Sequence, residues 1–82
     1  MDIQNIYNSI AELSREIVRE CTARSVKIST AESCTGGMIS GAVTSISGSS
    51  AVIELGVCSY SNRIKHEILH VPAEVLERFT EY

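Results

Sequence analysis

Ser33 and Cys34 stand side by side in Ala31-Glu32-Ser33-Cys34-Thr35-Gly36-Gly37, and Tyr60, Asn62 and Lys65 follow one another closely further along the chain. A hydroxyl, a thiol, a phenol and an amine are groups able to act as nucleophiles and proton carriers. The first group lies where a β-branched run, Val26-Lys27-Ile28-Ser29-Thr30, gives way to a small-residue apolar segment, Met38-Ile39-Ser40-Gly41-Ala42-Val43, an order that reads as strand, tight turn, helix. Such a turn directs free backbone N–H groups and the positive end of a helix dipole at one spot, where an anion or a developing oxyanion can be held.

The elements that must position these residues are legible from periodicity. Ile3, Ile6, Tyr7, Ile10, Leu13, Ile17, Val18 and Cys21 share one helical face, with Glu12, Arg15, Glu16, Arg19 and Glu20 mostly opposite. Val26 to Thr30 is short and bounded by turn residues, which predicts a buried strand of a covered sheet. Gly36, Gly37 and Gly41 disfavour a helix by up to ~1 kcal/mol each relative to Ala, so a neighbouring backbone or a ligand is expected to pack close to them. Gly48 suits the loop that ends this second helix. Ala51 to Tyr60 reads as a long strand, with Gly56 marking a bulge or a close contact. Ser61 or Asn62 can cap the helix Arg63-Ile64-Lys65-His66-Glu67-Ile68-Leu69, and Pro72 suits the start of a last helix, Ala73 to Phe79. The order implies an α/β fold, a layered α/β/α arrangement with a mostly parallel sheet. If the two strands are parallel neighbours, Ser33-Cys34 and Tyr60-Ser61-Asn62-Lys65 face one crevice at their carboxyl ends.

Composition excludes several classes. At 82 residues there is room for one small domain, burying ~60–65% of its unfolded surface, a fraction at which stability is marginal. With 44% hydrophobic and 21% charged residues the chain is globular, and its apolar runs fall far short of the roughly 20 residues of a membrane span. The start, Met1-Asp2-Ile3-Gln4-Asn5, has no basic segment leading into an apolar core, so a cytoplasmic protein is expected. Cys21, Cys34 and Cys58 are widely spaced and form no C-x-x-C, which argues against a disulfide framework or a zinc site. His66 and His70 are spaced i, i+4, but without further ligands they read as a solvated last helical turn, and no metal is expected. The net charge is −3 and the seven Lys and Arg are scattered singly, so no nucleic-acid ligand is expected.

Four segments in order, Thr30-Ala31-Glu32-Ser33-Cys34-Thr35-Gly36-Gly37, Ser47-Gly48-Ser49-Ser50-Ala51-Val52, Tyr60-Ser61-Asn62-Arg63-Ile64-Lys65 and Val71-Pro72-Ala73-Glu74, resemble the first half of the CinA C-terminal domain family. The resemblance covers nearly the whole chain. That family includes nicotinamide-nucleotide amidases of the PncC type, which convert nicotinamide mononucleotide and water to nicotinate mononucleotide and ammonia, and it also includes domains of larger competence- and damage-inducible proteins. The resemblance implies Ser33 as nucleophile, Lys65 and Tyr60 as its proton-handling neighbours, and Cys34, Thr35, Gly36, Gly37 and Asn62 as the substrate-binding and oxyanion surroundings, with no cofactor. Amide hydrolysis needs a nucleophile, an acceptor for its proton, a donor for departing ammonia and donors for the tetrahedral oxyanion. With no Asp/His pair placed for a Ser-His-Asp triad, a Ser–Lys or Ser–Tyr–Lys arrangement is the substitute. Lys65 would act as base only when neutral, which takes burial or a nearby positive charge.

Each residue also has a plainer role. Ser33 can cap the helix, and Cys34 can be either a packing thiol or the nucleophile itself, since a helix N-terminus lowers a thiol's pKa. Lys65 can be an exposed helix lysine, Tyr60 a core aromatic, and Glu32 either an orienter of Lys65 or a charge that favours the helix start. Family members continue for about as many residues again, through further strands, a glycine-rich segment and basic residues that contact the substrate phosphate. The expectation is therefore a single, C-terminally truncated domain over residues 1–82, poorly stable alone or forming a homo-oligomer through exposed strand edges. The alternative to an amidase is a non-catalytic domain that binds a nucleotide or a partner chain through the same turn.

Overall fold

Asp2 starts the first helix: its carboxylate accepts the Gln4 N–H at 2.9 Å, and α1 runs from Ile3 to Ala23. This computed structural model describes residues 2–79; Glu81 and Tyr82, where the sequence ends, lie outside them. Within α1 the buried Ser14 hydroxyl donates to the Ile10 carbonyl at 2.7 Å, so this hydroxyl is not orphaned by its burial. The helix closes through a paired reversal. Ser25 takes a left-handed φ of 54°, its N–H donates to the Thr22 carbonyl at 3.2 Å, and the Val26 N–H donates to the Cys21 carbonyl at 2.9 Å. Because Val26 is spent on closing α1, the strand starts later than its β-branched run predicts, and β1 is Ile28–Glu32 rather than 26–30.

β1 pairs in parallel with β2 (Ile53–Cys58), in register from Ile28↔Ile53 to Glu32↔Cys58. The irregularity in the pairing falls between Ile28 and Ser29, not at Gly56. Between the strands the chain forms α2 (Met38–Thr44) and one 3₁₀ turn (Ser49–Ala51), entered through Gly48 at a φ of 88°. The long second strand expected over 51–60 is shorter at both ends. Ala51 belongs to the 3₁₀ turn and Tyr60 lies beyond the strand, although Ser59 still donates its N–H to the Glu32 carbonyl at 2.8 Å. Two helices complete the described chain, α3 (Asn62–Glu67) and α4 (Ala73–Phe79).

The core is small. Val18 of α1, Val43 of α2 and Val52 ahead of β2 are buried together, with Cys21, Ile28, Ile46 and Ile53 packed against them. The α/β class with a parallel sheet is as the sequence predicts, but β1 is not the covered strand expected of it. Along Ile28–Ala31 half-buried and exposed residues alternate, and Leu55, opposite Ser29, is 58% exposed. That period-two pattern belongs to a sheet packed on one face.

Gly36 and Gly41 differ from expectation, whereas Gly56 makes the close contact that was one of its two readings. No neighbour approaches the Cβ position of Gly36 or Gly41 within 4 Å. Gly36 and Gly37 serve the backbone instead, with φ of 61° and 89° in the turn before α2. Close approach occurs at Gly56, where a Cβ would stand 2.9 Å from the Ser40 Cβ, so α2 lies directly on β2 there. Among the described residues no helix is long and apolar enough to cross a membrane.

Candidate active site

The parallel pairing places the exits of β1 and β2 side by side. Glu32 and Cys58 are register partners, and the residues that follow them, Ser33-Cys34 and Tyr60-Ser61-Asn62, line one open cleft of about 460 Å³. The carboxyl ends of adjacent parallel strands are where α/β folds gather ligands. Ser33, Cys34, Tyr60 and Asn62 are thus brought together as the sequence predicts. Ser61, which the sequence places in the same crevice and offers as a cap, also lines the cleft. It fills the capping role too, its hydroxyl accepting the Ile64 N–H at 3.2 Å.

The plainer roles fail for four of these residues, each for a physical reason. Ser33 is not the cap of α2, because the cap position is Gly37 and no side chain there bonds the helix. Tyr60 is no core aromatic: it lies past the end of β2 and is 81% exposed. Cys34 is exposed on the turn rather than packed. Lys65 is buried, at 9% exposure, rather than solvated on its helix. It lies one turn along α3 from Asn62, on the same helical face, and is not among the residues lining the cleft.

Glu32 supplies the cap that Gly37 lacks. Its carboxylate accepts the Ile39 N–H at 2.7 Å and the Ser40 N–H at 3.0 Å, which are two of the orphan donors in the first turn of α2. Thr35 adds its hydroxyl at 2.8 Å. These donors favour the charged form, Ser40 most, then Ile39 and Thr35, with desolvation opposing them, and the pKa falls from 4.5 to about 2. Glu32 is 5% exposed. Of the two sequence readings of Glu32, the charge that favours the helix start is the one the geometry displays.

This corrects the expectation that the start of α2 is open to an anion. The first-turn N–H groups of Ile39 and Ser40 already serve an internal carboxylate, so any anion held near Ser33 would have to use donors of the turn itself. Thr35, Gly36 and Gly37 form that turn but are not among the residues lining the cleft. Thr35 also borders a second, apolar groove between α1 and α2. Of the two histidines, His66 lies with its Nδ1 2.8 Å from the Val71 carbonyl. His70 lies beyond the helix at a φ of 60°.

With this geometry in place, comparison with known proteins is specific. Residues 10–82 match the CinA C-terminal domain family. A CinA-like protein of Colwellia psychrerythraea is 39% identical over 77 residues, covering 94% of this chain and 18% of its own length. A CinA-like protein of Synechococcus sp. (strain RCC307) is 46% identical over 66 residues, which is 80% of this chain and 16% of that protein. Among solved structures, the competence/damage inducible protein CihA from Agrobacterium tumefaciens superposes with a TM-score of 0.82 at 48% identity, over 85% of this chain and 42% of that one. A competence or damage-inducible protein from Enterobacter asburiae does so with a TM-score of 0.82 at 35% identity, over 87% of this chain and 45% of that one. The chain therefore spans less than half the length of these solved relatives and under a fifth of the curated ones.

Proposed function

The chain belongs to the CinA C-terminal domain family, and we propose that it carries the serine half-site of an amidohydrolase acting on nicotinamide mononucleotide. The observation that supports this most is the placement of Ser33, which is not spent on capping α2 and lines the same cleft as Tyr60 and Asn62. In this reading the Ser33 oxygen attacks the carboxamide carbon and its proton passes toward Tyr60 and Lys65. The tetrahedral intermediate then collapses, the C–N bond breaks, and the departing nitrogen takes up a proton and leaves as ammonia. Water next attacks the resulting ester, which releases nicotinate mononucleotide and restores the serine hydroxyl, so one water is consumed for each ammonia formed. Tyr60, exposed beside Ser33, is placed to meet the substrate, and the buried Lys65 would complete the proton path from α3. The reaction calls on no cofactor. The partner is a small nucleotide, with no role for nucleic acid or membrane, and the site is proposed to work in the cytoplasm.

One observation favours a second reading. Lys65 is not among the residues lining the cleft, and the chain corresponds to 42% of the Agrobacterium relative, so the domain could hold a nucleotide or a partner chain without turning it over. Ammonia release from nicotinamide mononucleotide separates the two. The amidase reading predicts release by the wild-type chain, loss in Ser33→Ala and retention in Cys34→Ala. Loss in Cys34→Ala with retention in Ser33→Ala would move the nucleophile to the thiol, and binding without release in any variant would support the second reading.

A further inference from the structure

Both walls of the cleft hang from the residue before Ser33. The Glu32 side chain holds the start of α2 and Thr35, the two ends of the turn that carries Cys34 to Gly37. Its backbone carbonyl accepts the Ser59 N–H at 2.8 Å and lies 3.4 Å from the Ser59 hydroxyl, so it also fixes the exit of β2 toward Tyr60-Ser61-Asn62. Ser59 and Glu32 are both buried, which leaves water little access to compete for these bonds. One wall is thus held by a side chain and the other by a main-chain oxygen of the same residue. A small displacement of either would change where the Ser33 hydroxyl stands relative to a carbonyl bound beside Tyr60.

We propose that Glu32 is a positioning residue of this site, whose carboxylate holds the Ser33–Gly37 turn against α2 at the separation from Tyr60–Asn62 that the reaction needs. The catalytic half of this proposal rests on the amidase reading; the geometric half does not. Glu32→Gln keeps the size of the side chain but sets an amide nitrogen against one of the donors that the carboxylate accepts. Glu32→Asp keeps the charge and shortens the reach. Thr35→Val removes a single bond and serves where Glu32→Gln does not fold.

Kinetics on the full chain with nicotinamide mononucleotide, at a temperature where circular dichroism shows each variant folded, read the catalytic half. The expected result for Glu32→Gln is a fall in kcat of about 10- to 100-fold with KM within about twofold, the mark of misplaced chemistry rather than lost binding. Glu32→Asp should recover part of the rate, and Thr35→Val should lose less than Glu32→Gln. A folded Glu32→Gln with wild-type kcat overturns the proposal. If the wild-type chain releases no ammonia, the amidase reading has failed on its own, and the geometric half is then read from alkylation of Cys34 by iodoacetamide, followed at that residue by peptide mass spectrometry. A changed Cys34 rate in Glu32→Gln, restored toward wild type in Glu32→Asp, upholds the clamp; an unchanged rate in a folded Glu32→Gln overturns it.

Discussion

Ser33 and Glu32 are adjacent in sequence yet do opposite things. Serine is a preferred helix cap, but here the helix is capped by a glutamate at the end of a strand. The carboxylate reaches the first turn of α2 from outside the helix, and Ser33 is left at the mouth of the cleft. The charge on Glu32 carries a pH signature. Its folded pKa of about 2 lies below the ordinary 4.5, so its contribution to stability is present in full above about pH 4.5 and is lost as pH falls toward 2. The melting-temperature difference between wild type and Glu32→Gln should therefore be constant above pH 5 and shrink steadily below pH 4.5. A difference that does not change with pH would mean the carboxylate's charge is not what holds the turn. Glu54 is also shifted down by its bond and charge pairing with Lys27. That pair is open to water on both sides, so adding salt should change stability little through it.

At the level of elements, the contact between α2 and β2 turns on small residues. Gly56 faces Ser40 so closely that a methyl group would overlap it, and Gly56→Ala should lower stability by ~1–3 kcal/mol, the usual penalty of overpacking. Gly41 lies on the same helix with open space around its Cβ position, and Gly41→Ala should raise stability by up to ~1 kcal/mol through helix propensity alone. Urea denaturation of the two variants beside wild type checks both signs at once. This contrast marks what could be read in the sequence. The period of Ile3, Ile6, Ile10, Ile17 and Val18 made α1 plain, and the two strand-to-helix switches placed Ser33 and Tyr60 together because parallel neighbours put their carboxyl ends at one edge. The boundaries slipped where a backbone group was already engaged, as with the Val26 N–H that closes α1. The glycines were harder still. A left-handed φ at Gly36 and Gly37, open space at Gly41 and a tight contact at Gly56 look alike in one dimension. The role of Glu32 was legible only as a charge that favours the helix start; its partners, Ile39 and Ser40, are backbone donors that carry no signature in residue type.

As a whole molecule the described chain is a slab of 38 × 36 × 15 Å. Its radius of gyration is 15.1 Å, against about 12 Å for a compact domain of this length. Tyr7, Ile10, Leu13 and Ile17 of α1, with Met38 and Ile39 of α2, border an apolar groove of about 620 Å³, and Ile3, Ile6 and Leu55 are also exposed. Apolar surface of this extent drives association. Sedimentation of the purified chain should give a mass that rises with concentration, and Leu13→Lys should return it toward the monomer; a monomer at every concentration would show that the groove stays open in solution. The turn that carries Ser33 and the loop that faces it lie within a body less than half the length of its solved relatives. The central claim is that Ser33 forms the bond to substrate, and acid quenching of the chain with nicotinamide mononucleotide, followed by peptide mass analysis, tests it most directly. The account predicts a nicotinate-mononucleotide ester on the peptide containing Ser33, absent in Ser33→Ala. An acyl group on Cys34 instead, or a folded chain that gives neither adduct nor ammonia, would contradict it.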